Sequence, residues 1–349
     1  DLGSHWVSVL PASRARPPEP SPGIPLGTST ETLQTNLNES EDEKVYSSHL
    51  WTDSALYGNW VGGRGKGYSS RNSGTYYEQN LRYELFTTKA SGDSLSLLMD
   101  TTYDNDDREF SDAFILNQLT LESRTPKTQA TFGHAYPEFS PFTMSQQMFG
   151  LSGVQKFSHT NVKMFSGYRA VDNDSLRNPR QVNGMRLEHI SDNSFTMGLN
   201  AVGTRDTHDN PSANRDLPTL RNKVYSFDMA LNPGENWQFR AEYARSDTDF
   251  DQRSTVGNQY ATAYRAEGSY LLEQLKAHAG VEAADTAFVS VLGESPRDQR
   301  AYFGDLCYEL NQYFGLQLLG RTSRDNLDNY KRATLVRNEP EVKLTMHPS

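Results

Sequence analysis

Tyr225-Ser-Phe-Asp-Met-Ala-Leu-Asn-Pro-Gly-Glu-Asn-Trp-Gln-Phe-Arg-Ala-Glu-Tyr243 decides the fold. Before Asn232-Pro-Gly, every second residue is apolar: Tyr225, Phe227, Met229 and Leu231. After it the same period places Trp237, Phe239, Ala241 and Tyr243 on one face and Gln238, Arg240 and Glu242 on the other. A period of two belongs to a pleated strand with one dry face and one wet face, and Asn-Pro-Gly is turn chemistry. The segment is an antiparallel hairpin.

Outward from this hairpin the pattern repeats. Other short turns read Ala90-Ser-Gly-Asp93, Ser191-Asp-Asn-Ser194 and Leu310-Asn-Gln312. Between the short turns lie long polar stretches: Gly62 to Gly74, Asp104 to Asp112, Asp172 to Arg180, Arg205 to Lys223 and Ser246 to Gln259. A meander with tight turns at one end and long loops at the other is the plan of a membrane-spanning up-and-down β-barrel. A soluble sandwich has no reason to keep its long loops at one end.

About sixteen strands can be phased between Val45 and Met346. Leu81, Tyr83 and Leu85 oppose Arg82 and Glu84; Val162, Met164 and Tyr168 oppose Lys163 and Arg169; Met185 and Leu187 oppose Arg186 and Glu188. Tyr264, Ala266 and Tyr270 oppose Arg265 and Glu267 in the same way. An even strand number puts both chain ends on the short-turn side, the periplasm of an outer-membrane barrel. The stretch from Ala283 to Arg300 is the one place where an extra strand, through Phe288, Val289 and Val291, would change the count.

Composition agrees with a barrel. Mean hydropathy is -0.73, and no run of about 18 apolar residues supplies a transmembrane helix. Aromatics are plentiful, with 18 Tyr, 16 Phe and 4 Trp, the residue types that favour membrane interfaces. A net charge of -10 argues against nucleic acid as a partner. The single cysteine, Cys307, excludes an intrachain disulfide framework and any CxxC site, and reads as a small mid-strand thiol. The start at Asp1 fits a processed or exported chain.

Residues 1–45 form a separate segment. Arg16-Pro-Pro-Glu-Pro-Ser-Pro-Gly-Ile-Pro25 reads as extended, polyproline-like chain, and it is expected to serve as a periplasmic tail or as a plug of the barrel at residues 46–349. It is also the expected contact for a periplasmic or envelope protein partner.

On the polar face, ten charged residues are the candidate pore lining: Arg82, Glu84, Lys163, Arg169, Arg186, Glu188, Arg240, Glu242, Arg265 and Glu267. Left dry and unpaired they would be costly, whereas a water-filled lumen of about sixteen strands solvates them. One long loop departs from the polar rule. Tyr136-Pro-Glu-Phe-Ser-Pro-Phe142 is aromatic and stiffened by two prolines, and folding inward would remove its rings from water.

In length, strand number and a third long loop containing Pro137-Glu138-Phe139, the chain resembles the Gram-negative general porins. The resemblance implies an outer-membrane channel, with Tyr136, Pro137, Glu138 and Phe139 in a constriction loop and Glu138 near the narrowest point. It also implies outer-membrane lipid and lipopolysaccharide as surroundings. Two features depart from that family: the ending Val342-Lys-Leu-Thr-Met-His-Pro-Ser349 has no terminal Phe, and general porins lack the Pro-rich tail. These departures resemble the sheath barrels of porin–cytochrome conduits, so a barrel scaffold of a larger envelope complex is the second expectation. A secreted glycan-binding β-protein is the third.

Neither catalysis nor a resident cofactor is expected. His134, His159, His189 and His278 fall on separate segments, and no triad spacing is present. Asp247-Thr-Asp-Phe-Asp251 starts like a calcium loop, but Gln252 and Asn258 stand where the glycine and glutamate would be, so no metal site is assigned.

Overall fold

The structure is a computed structural model that describes residues 45–59, 74–104, 114–170, 179–191, 194–206, 220–250, 257–294, 297–311 and 313–346. Sixteen strands account for most of them: β1 (Val45–Asn59), β2 (Gly74–Thr88), β3 (Ser94–Asp104), β4 (Phe114–Arg124), β5 (Thr128–Ala135), β6 (Met148–Lys156), β7 (Thr160–Ala170) and β8 (Pro179–Ser191) in the first half. The second half holds β9 (Phe195–Asp206), β10 (Arg221–Leu231), β11 (Trp237–Asp249), β12 (Gln259–Leu272), β13 (Leu275–Ala284), β14 (Gln299–Asn311), β15 (Phe314–Asp325) and β16 (Val336–Met346). They form one sheet in sequence order from β1 to β16. The Pro-rich segment, residues 1–44, lies outside the described residues, as do most of the long polar stretches.

The alternation of connection lengths follows from the strand bounds. The seven turns after the even-numbered strands β2 to β14 take two to five residues, while the eight connections after the odd-numbered strands take eight to fourteen. Two long stretches are shorter than the sequence pattern suggests. Strand pairing continues through Arg205 and Asp206, through Arg221 to Lys223, and through Ser246 to Asp249. Polar side chains are compatible with a strand wherever the ladder bonds remain available, so hydrophobicity underestimates strand length at these ends.

The hairpin that decides the fold pairs Leu231 with Phe239 and runs without irregularity to Arg221 opposite Asp249. Its apolar face leaves Tyr225, Phe227, Trp237, Phe239 and Tyr243 exposed, while Val224, Ser226, Ala244 and Ser246 on the other face are buried. The buried face is therefore the polar and small-residue one, the inverse of a soluble sheet. Among its described residues Ala283 to Arg300 adds no strand: β13 ends at Ala284, β14 begins at Gln299, and residues 285–294 fold over that same face.

By contact density the chain divides into two units. Of the described residues, the first contains those within 49–83 and 99–117; the second contains those within 84–98 and from 118 onward, together with 45–48. In the second unit two apolar clusters lie on the buried face. One joins Ala135, Met144, Met148, Phe165, Val182, Val202 and Leu292. The other joins Phe142, Val224, Ala244, Ala261, Ala263, Ala284 and Phe288, with the Phe142 and Phe288 rings edge to face at 5.9 Å.

At the long-loop end, Asp298 ties Asp285 and Thr286 to the connection between β15 and β16. The Leu327 amide donates to its Oδ1 at 2.9 Å, and the Lys331 ammonium bonds its Oδ2 while reaching Asp325 at 3.0 Å. Asn326 (φ 58°) and Asn329 (φ 55°) take the left-handed turns this requires, a conformation Asn tolerates better than most residues. Burial pushes the Asp298 carboxyl up, but Lys331 and the Leu327 amide outweigh it and hold it below its ordinary value. A depressed carboxyl contributes stability that is present above the unfolded value and lost as pH falls through the folded one. The Leu327 amide should therefore stay protected from hydrogen exchange at neutral pH and lose that protection only as the pH falls below the ordinary carboxylate range. Lys331→Met should weaken it at neutral pH and move its loss to higher pH; unchanged protection in the variant would refute the linkage.

Candidate functional site

Residues that alternate with the apolar face of β7 to β11 meet in one hydrogen-bonded chain. It begins on β7, where Asn161 donates to Glu188 at 3.0 Å and the Lys163 ammonium lies 3.5 Å from the same oxygen. On β8, Arg186 shares its Nε and Nη2 protons with the other oxygen of Glu188, at 3.2 and 3.1 Å. It then crosses to β10 and grips Asp228 with both Nη atoms, at 2.5 and 2.9 Å. Such a two-pronged pair is the geometry a planar guanidinium makes with a carboxylate. Asn200 on β9 sits between, accepting from Arg186 at 2.9 Å and donating to Asp228 at 2.6 Å and Ser226 at 3.0 Å.

Local sequence makes room for this chain. An added Cβ on Gly198 would lie 2.5 Å from the Arg186 guanidinium, so the flat floor there requires glycine. Gly184 does the same for Phe139, whose ring would stand 2.7 Å from a Cβ.

The chain ends on a loop. Ser140 donates to Glu242 on β11 at 2.5 Å and touches Ser226 at 2.9 Å, and the Phe142 amide donates to both Glu242 oxygens at 3.3 Å. A single turn closed by Met144 N to Ser140 O at 3.1 Å holds these donors in place. Phe139, Phe142 and Met144 then pack into the two apolar clusters. Residues 136–147 thus lie across the buried face as far as β11.

A second loop lies beside the first. Asn222 donates to the Val289 carbonyl at 2.8 Å, and Arg169 donates to the Val291 carbonyl at 2.9 Å. The loops also bond each other, Ser145 N to Leu292 O at 3.0 Å and Glu294 N to Pro141 O at 2.8 Å. Sequence reading missed this second element because Phe288, Val289 and Val291 look like a strand. Their apolar density inside a long connection was the available signal.

Further round the sheet, Arg265 pairs with Glu267 at 2.8 Å and approaches Glu282 and Glu294, each at 3.7 Å. Its guanidinium lies 5.7 Å from the Phe303 ring centre. His278 faces Asp305 at 3.1 Å and Glu267 at 3.6 Å.

Of the ten candidate lining residues, Lys163, Arg186 and Glu188 form one group, and Arg265 and Glu267 another. Glu242 and Arg169 hold the two loops. Arg240 is exposed and opposite Glu267 in the pairing of β11 and β12. Glu84 is half-buried in the second unit. Arg82 belongs to the first unit, where its guanidinium lies over Trp51 at 5.8 Å. The expectation that water solvates all ten needs correction: Arg186 and Glu242 are only 5 % and 7 % exposed, so partner groups replace water around them. In the loop, Pro137 is buried and Tyr136 and Glu138 are exposed, with the Tyr136 hydroxyl donating to Ser145 O at 2.5 Å. The carboxylate that engages the loop is Glu242 rather than Glu138.

The other histidines are occupied separately. His134 accepts from the Leu119 amide at 2.9 Å, and His159 and His189 have ring centres 6.4 Å apart. Among the described residues no group of three His, Cys, Asp or Glu could hold a metal ion.

No protein-family profile and no curated protein matches the chain. Solved structures do. Pseudomonas aeruginosa OccK5 (OpdH) is 10 % identical, with 87 % of each chain covered and a TM-score of 0.46. Acinetobacter baumannii OccAB2 is 14 % identical over 87 % of this chain and 88 % of that one, with a TM-score of 0.45. In-vitro folded OmpT, an outer membrane protein of Vibrio cholerae, is 10 % identical over 89 % and 98 %, also with a TM-score of 0.45. The strand plan seen in this chain, sixteen antiparallel strands in up-and-down order with short turns at one end, is that of the porin-like β-barrels.

Removing one member of a buried ion pair leaves the others uncompensated. Arg186→Gln, which strands Asp228 and Glu188, should destabilise the folded protein by about 3–5 kcal/mol. Asp228→Asn with Arg186→Gln should cost less than the two single changes added together. Urea titration of refolded protein reads both, and additivity would refute the pairing.

Proposed function

We propose that the chain is the barrel of an outer-membrane channel for small hydrophilic solutes. The observation that carries this reading is the division of the sheet into two faces. One displays charges in ordered networks beneath two inward loops; the other displays Leu151, Met164, Leu199 and Leu344 at more than half exposure. A soluble protein does not leave so continuous an apolar surface in water. In a bilayer the same surface meets lipid and the charged face becomes the lumen.

Dimensions support the membrane assignment. Tyr260 and Tyr270 stand ten residues apart on the apolar face of β12, about 33 Å along the strand and about 25 Å across the membrane at a tilt of about 40°. Trp237, 4.6 Å from Tyr270, marks one interface, and Arg245, 5.2 Å from the Tyr260 ring, marks the other. By this reading the loops of residues 136–147 and 285–294 narrow the pore, and the three glutamates that share Arg265 favour cations. Lipopolysaccharide would surround the long-loop end.

Two measurements test the reading. In lipid vesicles Leu318→Arg, on the apolar face, should cost about 2–4 kcal/mol of folding free energy, against almost nothing for a face in water. In planar bilayers the refolded protein should conduct, and Ser140→Ala with Glu242→Ala should raise single-channel conductance by releasing the first loop. A refolded, membrane-inserted protein that never conducts would overturn the channel.

A further inference from the structure

The apolar face of β8 to β11 is not uniform. Two adjacent cross-strand rows run Met185–Ala201–Tyr225–Arg245 and Leu187–Leu199–Phe227–Tyr243. Ala201 is the small member of the first row, and around it opens an apolar groove of about 480 Å³. Arg245 closes the groove at the long-loop end, with its guanidinium over Tyr260 at the level assigned above to the outer interface.

Charge around that closed end is predominantly positive. Lys223, opposite Gly203, is exposed on the same face one row further toward the long loops, and Arg205, opposite Arg221, is exposed one row beyond that. Asp247, opposite Lys223, is the acidic neighbour, while Arg221 and Asp249 offset each other at 3.8 Å. Asp285, which accepts from the amide and hydroxyl of Thr262 opposite Arg245, is a second carboxylate, and three cations against two leave the rim net positive. An apolar trough ending in exposed cations at an interface is complementary to an acyl chain joined to a phosphate.

We infer that this groove is a specific site for lipid A, with one acyl chain lying over Ala201 and a glucosamine phosphate on Arg245 and Lys223. The inference rests on the outer-membrane reading, because the position of the cations at the long-loop end is what selects the outer-leaflet lipid. A groove of the same apolar character with its cations at the short-turn end would select an inner-leaflet phospholipid instead. Arg245 is suited to the role because its guanidinium lies over the Tyr260 ring at 5.2 Å and presents a planar fork of donors to oxygen acceptors.

The test is native mass spectrometry of the full chain in detergent, titrated with bisphosphorylated lipid A, with its dephosphorylated form and with phosphatidylglycerol. One bound lipid A is expected, with at least roughly ten-fold weaker binding after Arg245→Gln with Lys223→Gln, and for the dephosphorylated lipid. Ala201→Trp fills the trough with the cations intact and should weaken binding as well. Equal binding of phosphatidylglycerol, or unchanged affinity in both variants, would overturn the assignment. Heat-modifiable gel migration of each variant shows that it is folded. Its absence from the unmodified protein would count against the membrane barrel itself, a failure distinct from that of the lipid site.

Discussion

A carboxylate removed from water must find donors, and Glu242 finds them on a loop that begins six strands earlier. That constraint organises the second unit. Ser140 and Phe142 satisfy the carboxylate, their turn places Phe139, Phe142 and Met144 against the sheet, and the apolar clusters then cover the small residues of β9 to β12. The second loop packs on the first through Ser145 and Pro141, so its position depends on the same contact. Arg186 solves the complementary problem for Asp228 and Glu188, and Asn200 and Ser226 join the two solutions into one network.

The two faces follow from where water is available. Charges that pair across strands need either partners or water, and the loop-covered face offers partners near Arg186 and more open surroundings near Arg240. Aliphatic residues on the opposite face need neither, provided lipid is the solvent. In the proposed bilayer setting, Trp237 with Tyr270 and Tyr260 with Arg245 fall at the two levels where that solvent would change.

Much of the strand plan was legible because period-two alternation is a local property. The hairpin of Tyr225 to Tyr243, the short turns and the phase of Arg186 against Met185 all depend on neighbours a few residues away. Less legible were the strand ends, since Arg221 to Lys223 and Ser246 to Asp249 are polar yet still complete the ladder. The apolar run Phe288 to Val291 is locally a strand; it is a loop because side chains of the sheet, Asn222, Ser246 and Arg169, take up its backbone groups.

What the sequence determined by itself was the alternation: which residues share a face, which turns are tight, and that charges and apolar side chains oppose each other along each strand. These depend on pleat geometry, which needs no distant partner. Tertiary structure alone decided which charges meet. Glu242 rather than Glu138 receives the loop, and Arg186 selects Asp228 two strands away, because such pairings depend on how the chain crosses the sheet and on which glycines leave space beneath.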